Sequence, residues 1–338
     1  MPENPIFHSS IIDKIRTAEQ AEIIQPIEVG KTNLENELVF FIKPELLDVR
    51  DDSSIDNSLH LIQKKFSEYR VTVSGAALVP GSVLEQYEIM NRHYGFINQL
   101  SRLASTMIDA ETRQAMFAKL GLEDTGDYKI LGGHEFLKAF DTDLDTLSEV
   151  WFGKGAQKMR SGFYFVDDTF QGQPILLVNG FHPSQLAHFT RPDHRILLML
   201  LHTNTDWNRM KFSLVGDTFP ERAKPDSIRG KLYVDPEKYG QAEVGINTNG
   251  VHLSAGPYEA AFEVVNFFGS LLDLDPTATP PAAIQRSIDA GVPRDLALTL
   301  LGNPQVNDSD LFSDTENLET KDAIHFVLDN LVYKSAMK

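Results

Sequence analysis

Four separated segments of this sequence hold residue types suited to handling a triphosphate. They are Ile42-Lys43-Pro44, Gly216-Asp217-Thr218, Lys224-Pro225-Asp226-Ser227-Ile228-Arg229-Gly230 and Asn249-Gly250-Val251-His252-Leu253-Ser254. Lysine brings a compact positive charge and arginine a planar fork, and both neutralise phosphate oxygens. Singly, none of the four decides anything, because apolar strands often end in lysine and most lone histidines are structural. Phosphoryl transfer asks little covalent work beyond a nucleophile, and most of its rate comes from positioning and charge neutralisation. Cations, a histidine and small polar residues gathered from distant parts of a chain would meet that need.

The order and spacing of these segments resemble the nucleoside diphosphate kinase family. In that family a first strand ends in Lys-Pro, a Gly-acidic-Thr loop precedes an Arg in a KPGTIRG-like segment, and an Asn stands just before the active His. Here Thr218 lies eleven residues before Arg229 and Asn249 three before His252, while Ser254 and Glu263 follow it by two and eleven. The resemblance implies that His252 is the phosphoryl-accepting nucleophile and that Glu263, on the next helix, orients His252 and Ser254. It implies phosphate contacts from Lys43, Arg229 and Thr218, and ribose hydrogen bonds from Asn249. The base would lie between Tyr94 or Phe96 on one side and Ile246 on the other, a slot that reads no base edge. Tyr87, in Glu85-Gln86-Tyr87, resembles the family's tyrosine near the active histidine, with His93-Tyr94 as the competing register. ATP or another nucleoside triphosphate is the implied donor, with Mg²⁺ carried on its phosphates and no protein ligand assigned. Family members usually assemble, so a homo-oligomer, at least a dimer, is expected.

Several positions depart from the pattern. Phe212 stands where the family has a phosphate-binding arginine, and Arg209 or Lys211 of the same segment are the candidate replacements. Leu253 replaces the small glycine after the active histidine, Ala255 and Gly256 follow in place of Asp and Ser, and the stretch between Arg229 and His252 is longer than in the family. Three functions are compatible: a nucleoside diphosphate kinase working by ping-pong exchange; the same phosphohistidine chemistry serving another small-molecule acceptor; and a nucleotide-binding regulatory protein without turnover.

The elements that must position these residues follow from periodicity. Leu38-Val39-Phe40-Phe41-Ile42 is a short apolar run of buried-strand character that exits at Pro44. Ile55, Leu59, Ile62 and Phe66 share one helix face. Residues 70–78 alternate like a strand, a helix is predicted from Val83 to about His93, and Arg195–Leu201 is a buried strand followed by a helical segment from Trp207 to Leu214. Between them, an apolar helical stripe from Ile97 to Ile108, a helix near Leu144–Trp151 and a hairpin over 162–178 predict a subdomain of its own. The expected organisation is an N-terminal extension (1–36), a catalytic domain (37–97 and 191–272), an inserted α/β subdomain (98–190) and, after a Pro-rich linker, a helical tail (273–338). Helices on a sheet read as an α/β sandwich. The family resemblance implies a ferredoxin-like βαββαβ core with an antiparallel sheet.

Composition limits the partners. The chain has 338 residues, 31 basic against 48 acidic, for a formal charge of −17, which repels nucleic acid and anionic membranes. It has no cysteine, so disulfide and thiolate chemistry are excluded. The first twenty residues lack a basic start with an apolar run, and no stretch has the length of a spanning helix, so a soluble cytoplasmic protein is expected.

Overall fold

The computed structural model describes residues 5–8, 10–160 and 162–333. The chain divides into two compact units, Met1–Tyr87 with Arg191–Lys338, and Glu88–Thr190. Nine strands build their main sheets: β1 (Glu22–Gln25), β2 (Asn36–Ile42), β3 (Thr72–Pro80), β4 (Lys129–Gly132), β5 (Gln157–Arg160), β6 (Phe163–Phe170), β7 (Gln173–Val178), β8 (Arg195–Thr203) and β9 (Val251–Leu253).

The first unit is a five-stranded sheet in the order β1-β3-β8-β2-β9, with every neighbouring pair antiparallel. Set aside the edge strand β1 and the order is that of a ferredoxin-like βαββαβ core, so the fold is mixed α and β with an antiparallel sheet. The apolar run of β2 is buried at every position because β8 and β9 flank it and helices cover both faces. Alternation sorts its side chains. Leu38, Phe40 and Ile42 join Ile55, Leu59, Ile62 and Phe66 of the helix Asp52–Glu68 in one core. Phe41 turns to the other face and meets Phe267 of the helix Pro257–Leu272, 5.4 Å between ring centroids. The helix over Asp52–Glu68 starts where Asp51 caps the Ser53 amide, and its buried stripe is the one the spacing predicts.

Two helical expectations are modified. The single helix predicted from Val83 to His93 is two short ones, Gly81–Gln86 and Ile89–His93, broken at Glu88, whose φ of 49° is left-handed and ends the helical hydrogen-bond ladder. The segment after Trp207 is one α-turn, Trp207–Arg209, that widens into a π-helix over Met210–Val215, closed by the Gly216 amide on the Lys211 carbonyl at 2.8 Å.

The second unit is a four-stranded sheet in the order β4-β7-β6-β5, with β4 and β7 parallel and the rest antiparallel. The predicted hairpin is β6–β7, longer than expected, because much of the polar stretch between the apolar runs is itself paired and only Gln171-Gly172 turns. Phe165, Leu176 and Val178 face one core of this unit and Val166, Ile175 and Leu177 the other. The C-terminal segment of the first unit packs Ile284, Leu300, Leu311, Ala323 and Val327 against Tyr258 and Ala261 of the helix Pro257–Leu272. Among the described residues, no helix is long and apolar enough to cross a membrane.

Candidate active site

The register of the sheet assembles the site. Phe41 pairs with His252 and Ile42 with Val251, and the Lys43 amide then donates to the Gly250 carbonyl at 2.9 Å. The end of β2, which carries Lys43, is thereby held beside the start of β9, which carries His252. Gly250 makes the tight entry possible: its φ is 81°, and a Cβ there would stand 2.4 Å from Leu232 Cδ1.

Two clusters meet at this strand end. In the first, buried Lys43 donates from Nζ to Asn249 Oδ1 at 2.7 Å, and Asn249 Nδ2 donates to the carbonyls of Thr218 at 3.2 Å and Ile246 at 3.1 Å. Arg229, in the helix Ile228–Val234 capped by Ser227, spans to the Gly216 carbonyl at 3.1 Å and the Val251 carbonyl at 2.8 Å. Its Nε is buried without a hydrogen-bond partner. Burial pulls the Lys43 ammonium down to about 8, with Glu45 opposing and Arg229 reinforcing the shift. Burial likewise brings Arg229 down to about 10 against the pull of Asp217 and Glu45. Two cations held in low dielectric next to each other, one with an unused N–H, gain from an anion between them.

In the second cluster His252 Nε2 is 2.7 Å from Glu263 Oε1, and Ser254 Oγ donates to the other oxygen, Oε2, while accepting from the Val39 amide at 2.9 Å. Glu263 is fully buried on the helix Pro257–Leu272, and the His252 ring lies flat on Phe41, centroids 4.5 Å apart and 17° between planes. A carboxylate facing Nε2 favours the tautomer protonated there, which puts the ring's lone pair on Nδ1. Stacking on Phe41 and the grip of Glu263 restrain the imidazole in two directions. The arrangement is an imidazole restrained by a buried carboxylate, on a strand end that also holds the buried cations Lys43 and Arg229.

No protein-family model matches this chain. No curated protein matches it either. Among solved structures it is similar to an NDP kinase from Pyrobaculum aerophilum, with 16% sequence identity and a TM-score of 0.35, covering 71% of this chain and 99% of that one.

The remaining residues singled out in the sequence have these surroundings. Thr218 and Ile246 are exposed and touch the cluster through their carbonyls, and Tyr87 is exposed at the end of its helix. Arg209 lies over the Tyr69 ring at 5.6 Å, Lys211 is ion-paired with Glu316, and Phe212 is exposed. Tyr94 and Phe96 belong to the second unit, where Tyr94 packs against His182 and Phe189 and Phe96 lies under the Arg160 guanidinium at 4.6 Å. Leu253 pairs with Phe40 and joins the core on the face opposite His252, so its branched side chain takes no space from the histidine. Three neighbours were not singled out. Phe41 could have been found by strand alternation with a histidine partner. Glu45, whose Oε1 accepts from the Gly250 amide at 2.9 Å, and Glu259 carry no local signal.

Proposed function

We propose that this protein is a phosphotransferase that takes the γ-phosphoryl group of a nucleoside triphosphate onto His252 and passes it to a nucleoside diphosphate by ping-pong exchange. The observation that carries the reading is the imidazole of His252, held by Glu263 at 2.7 Å, at the same strand end as the buried cations Lys43 and Arg229. In the first half-reaction His252 Nδ1 forms a bond to the γ-phosphorus as the bridging P–O bond breaks, and the electron pair leaves with the nucleoside diphosphate. The Nε2 proton stays on the ring, and its hydrogen bond to Glu263 spreads the charge that the ring acquires. The second half-reaction reverses these steps onto the terminal phosphate of the acceptor.

Lys43 and Arg229 neutralise charge on the transferring group, Asn249 takes the ribose hydroxyls, and Thr218 and Ile246 are assigned the phosphate and base contacts. Lys43, Arg229 and Asn249 present donors, which suit phosphate oxygens, so Mg²⁺ would come and go with the substrate. An assembly of at least two chains belongs to the same reading and is read by sedimentation. A phosphohistidine serving a different small-molecule acceptor is the second reading, favoured by the C-terminal segment that lies over the turn after His252.

The test is incubation with γ-labelled ATP and Mg²⁺. The expected product is an acid-labile, base-stable label on the protein that His252→Ala abolishes and that added nucleoside diphosphate discharges. Label that nucleoside diphosphates leave in place selects the second reading, and the absence of label overturns both.

A further inference from the structure

The helix that leaves β2 and the turn that enters β8 bring three metal-ligating side chains together. Asp48 ends the helix Pro44–Leu47, which starts directly after Lys43. Asp193 and His194 stand just before Arg195, the first residue of β8. His194 Nε2 is 3.1 Å from Asp48 Oδ2, and the three residues each offer a ligand atom within 4.8 Å of the other two. His194 is buried, whereas both aspartates are exposed. Asp48 and Asp193 open onto a cavity of about 260 Å³ whose other walls are Ile15, Arg16, Leu47 and Arg195.

The backbone holds this set in place. The His194 amide closes the turn on the Arg191 carbonyl at 3.0 Å, and the Gly81 amide donates to the His194 carbonyl at 2.8 Å. Arg195 Nη1 donates to the Asp193 carbonyl at 2.7 Å, and across the cavity the Asp48 amide donates to the Pro44 carbonyl at 2.8 Å. Both cavity arginines have acceptors elsewhere: Arg16 bonds Asp52 Oδ1 at 2.8 Å and the Arg50 carbonyl at 3.2 Å, and Arg195 Nε bonds the Ala18 carbonyl at 2.9 Å. Ligands on a backbone already ordered bind an ion at a lower entropic cost.

We propose that Asp48, Asp193 and His194 form a binding site for a divalent transition-metal ion such as Zn²⁺, separate from any Mg²⁺ that travels with a nucleotide. Imidazole nitrogen and carboxylate oxygen bind Zn²⁺ at about 2.0–2.2 Å, which sets neighbouring ligand atoms roughly 3.0–3.5 Å apart around the ion. The His194–Asp48 separation of 3.1 Å already has that value. Asp193 completes the set by a side-chain rotation that its exposure allows, giving up its contacts with Arg191 Nη2 at 2.6 Å and Nε at 3.1 Å. An exposed ion pair of this kind contributes little, so the exchange costs little. The ion's charge balances the two carboxylates, the nitrogen ligand disfavours Mg²⁺ and Ca²⁺, and water fills the positions left open toward the cavity.

The test uses the full chain without nucleotide, so its outcome is independent of phosphotransfer. Calorimetric titration with Zn²⁺ is expected to show a site that Asp193→Asn and His194→Gln each weaken by at least about 100-fold, more than the loss of a group that merely orients a ligand. Co²⁺ in place of Zn²⁺ should develop a visible absorption band that the same variants abolish, and excess Mg²⁺ should leave the band unchanged. Arg191→Gln removes the competitor for Asp193 and should tighten Zn²⁺ binding, while His252→Ala should bind as the wild type does. Circular dichroism checks the fold of His194→Gln, and Asp193→Asn, at an exposed position, decides the matter where the buried variant does not fold. Absence of Zn²⁺ uptake overturns the proposal. So does uptake that Asp193→Asn leaves unchanged, that Arg191→Gln weakens, or that disappears with His252→Ala.

Discussion

Each unit of this chain holds histidines, partly or fully buried, whose rings bond to other side chains, yet with opposite chemistry. In the first unit His252 meets a buried carboxylate, itself held by Ser254. In the second, His134 Nδ1 is 2.9 Å from Ser101 Oγ, and His182 Nε2 is 3.2 Å from Asn98 Oδ1, so both partners are neutral. Burial, with Arg102 and His182 adding repulsion, pushes His134 down to about 3; burial also pushes His182 down to about 4. A histidine that cannot acquire charge serves packing and hydrogen bonding. One facing a carboxylate can accept the charge that a covalent phosphoryl intermediate brings. The residue type is shared, and the partner decides the role.

The largest effect expected from this contrast is on phosphoenzyme formation. Glu263→Gln keeps the hydrogen bond but removes the charge, and it should slow labelling of His252 by on the order of 10²-fold, the scale of losing one electrostatic contact in an active site. His134→Gln should leave labelling within about twofold of wild type. Equal losses in the two variants, measured by rapid quench, would erase the distinction between the units.

A second contrast lies in the direction of pH dependence. Lys43 is brought down to about 8, so its cationic form, the form that the proposed function requires, is lost as pH rises through that value. Affinity for a non-hydrolysable triphosphate should therefore fall about tenfold between pH 7 and pH 9, and Lys43→Arg, which stays charged, should flatten the curve. In the second unit the sign is reversed. The folded pKa values of His134 and His182 lie below the ordinary 6.5, so their contribution is full above that value. It is lost as pH falls toward 4 and 3, because the unfolded chain takes up protons first. The melting temperature of this unit should drop by several °C, about 4–8 °C per kcal/mol for a domain of its size, over that window. Trp151 reports it, since the chain's two tryptophans fall one in each unit. A flat acid profile for Trp151 beside a sloping one for Trp207 would invert the assignment.

The same contrast explains what could be read from the sequence. β2, β8 and the helix Asp52–Glu68 have periodic apolar residues, and burial follows periodicity directly, so they were legible. The His252–Glu263 and Lys43–Asn249 contacts join residues whose offsets were recognisable as a set. The break at Glu88 and the π-helix after Arg209 have no composition signal, because each depends on a single residue's backbone conformation or one widened turn. The contact of Asn317 with Ala255 was invisible for another reason: it is backbone to backbone between segments 62 residues apart, and only Gly256 marks it, by the side chain it lacks. Glu259 illustrates the same limit. A glutamate in the first turn of a helix reads as an ordinary exposed charge until the segment that confines it is folded over it.

The smallest effects sharpen the comparison at the level of single hydroxyls. Ser101 and Ser254 each bond a group attached to a histidine, but Ser101 bonds a neutral ring and Ser254 a buried carboxylate. A neutral hydrogen bond contributes about 0.5–1.5 kcal/mol net, and one to a charged group about 1.5–3 kcal/mol. Ser254→Ala also takes the acceptor from the buried Val39 amide, which adds to its cost. Denaturant unfolding of single-tryptophan variants, read at Trp207 for Ser254→Ala and at Trp151 for Ser101→Ala, should show the first costing about twice the second. The two differ in a further way. Ser101→Ala acts on stability alone, whereas Ser254→Ala frees one oxygen of the carboxylate that holds Nε2, so labelling of His252 should slow as well. If the two serines cost the same and labelling of His252 is unchanged by Ser254→Ala, Glu263 is held by its burial and not by Ser254. The carboxylate and the imidazole would then account by themselves for the difference between the units.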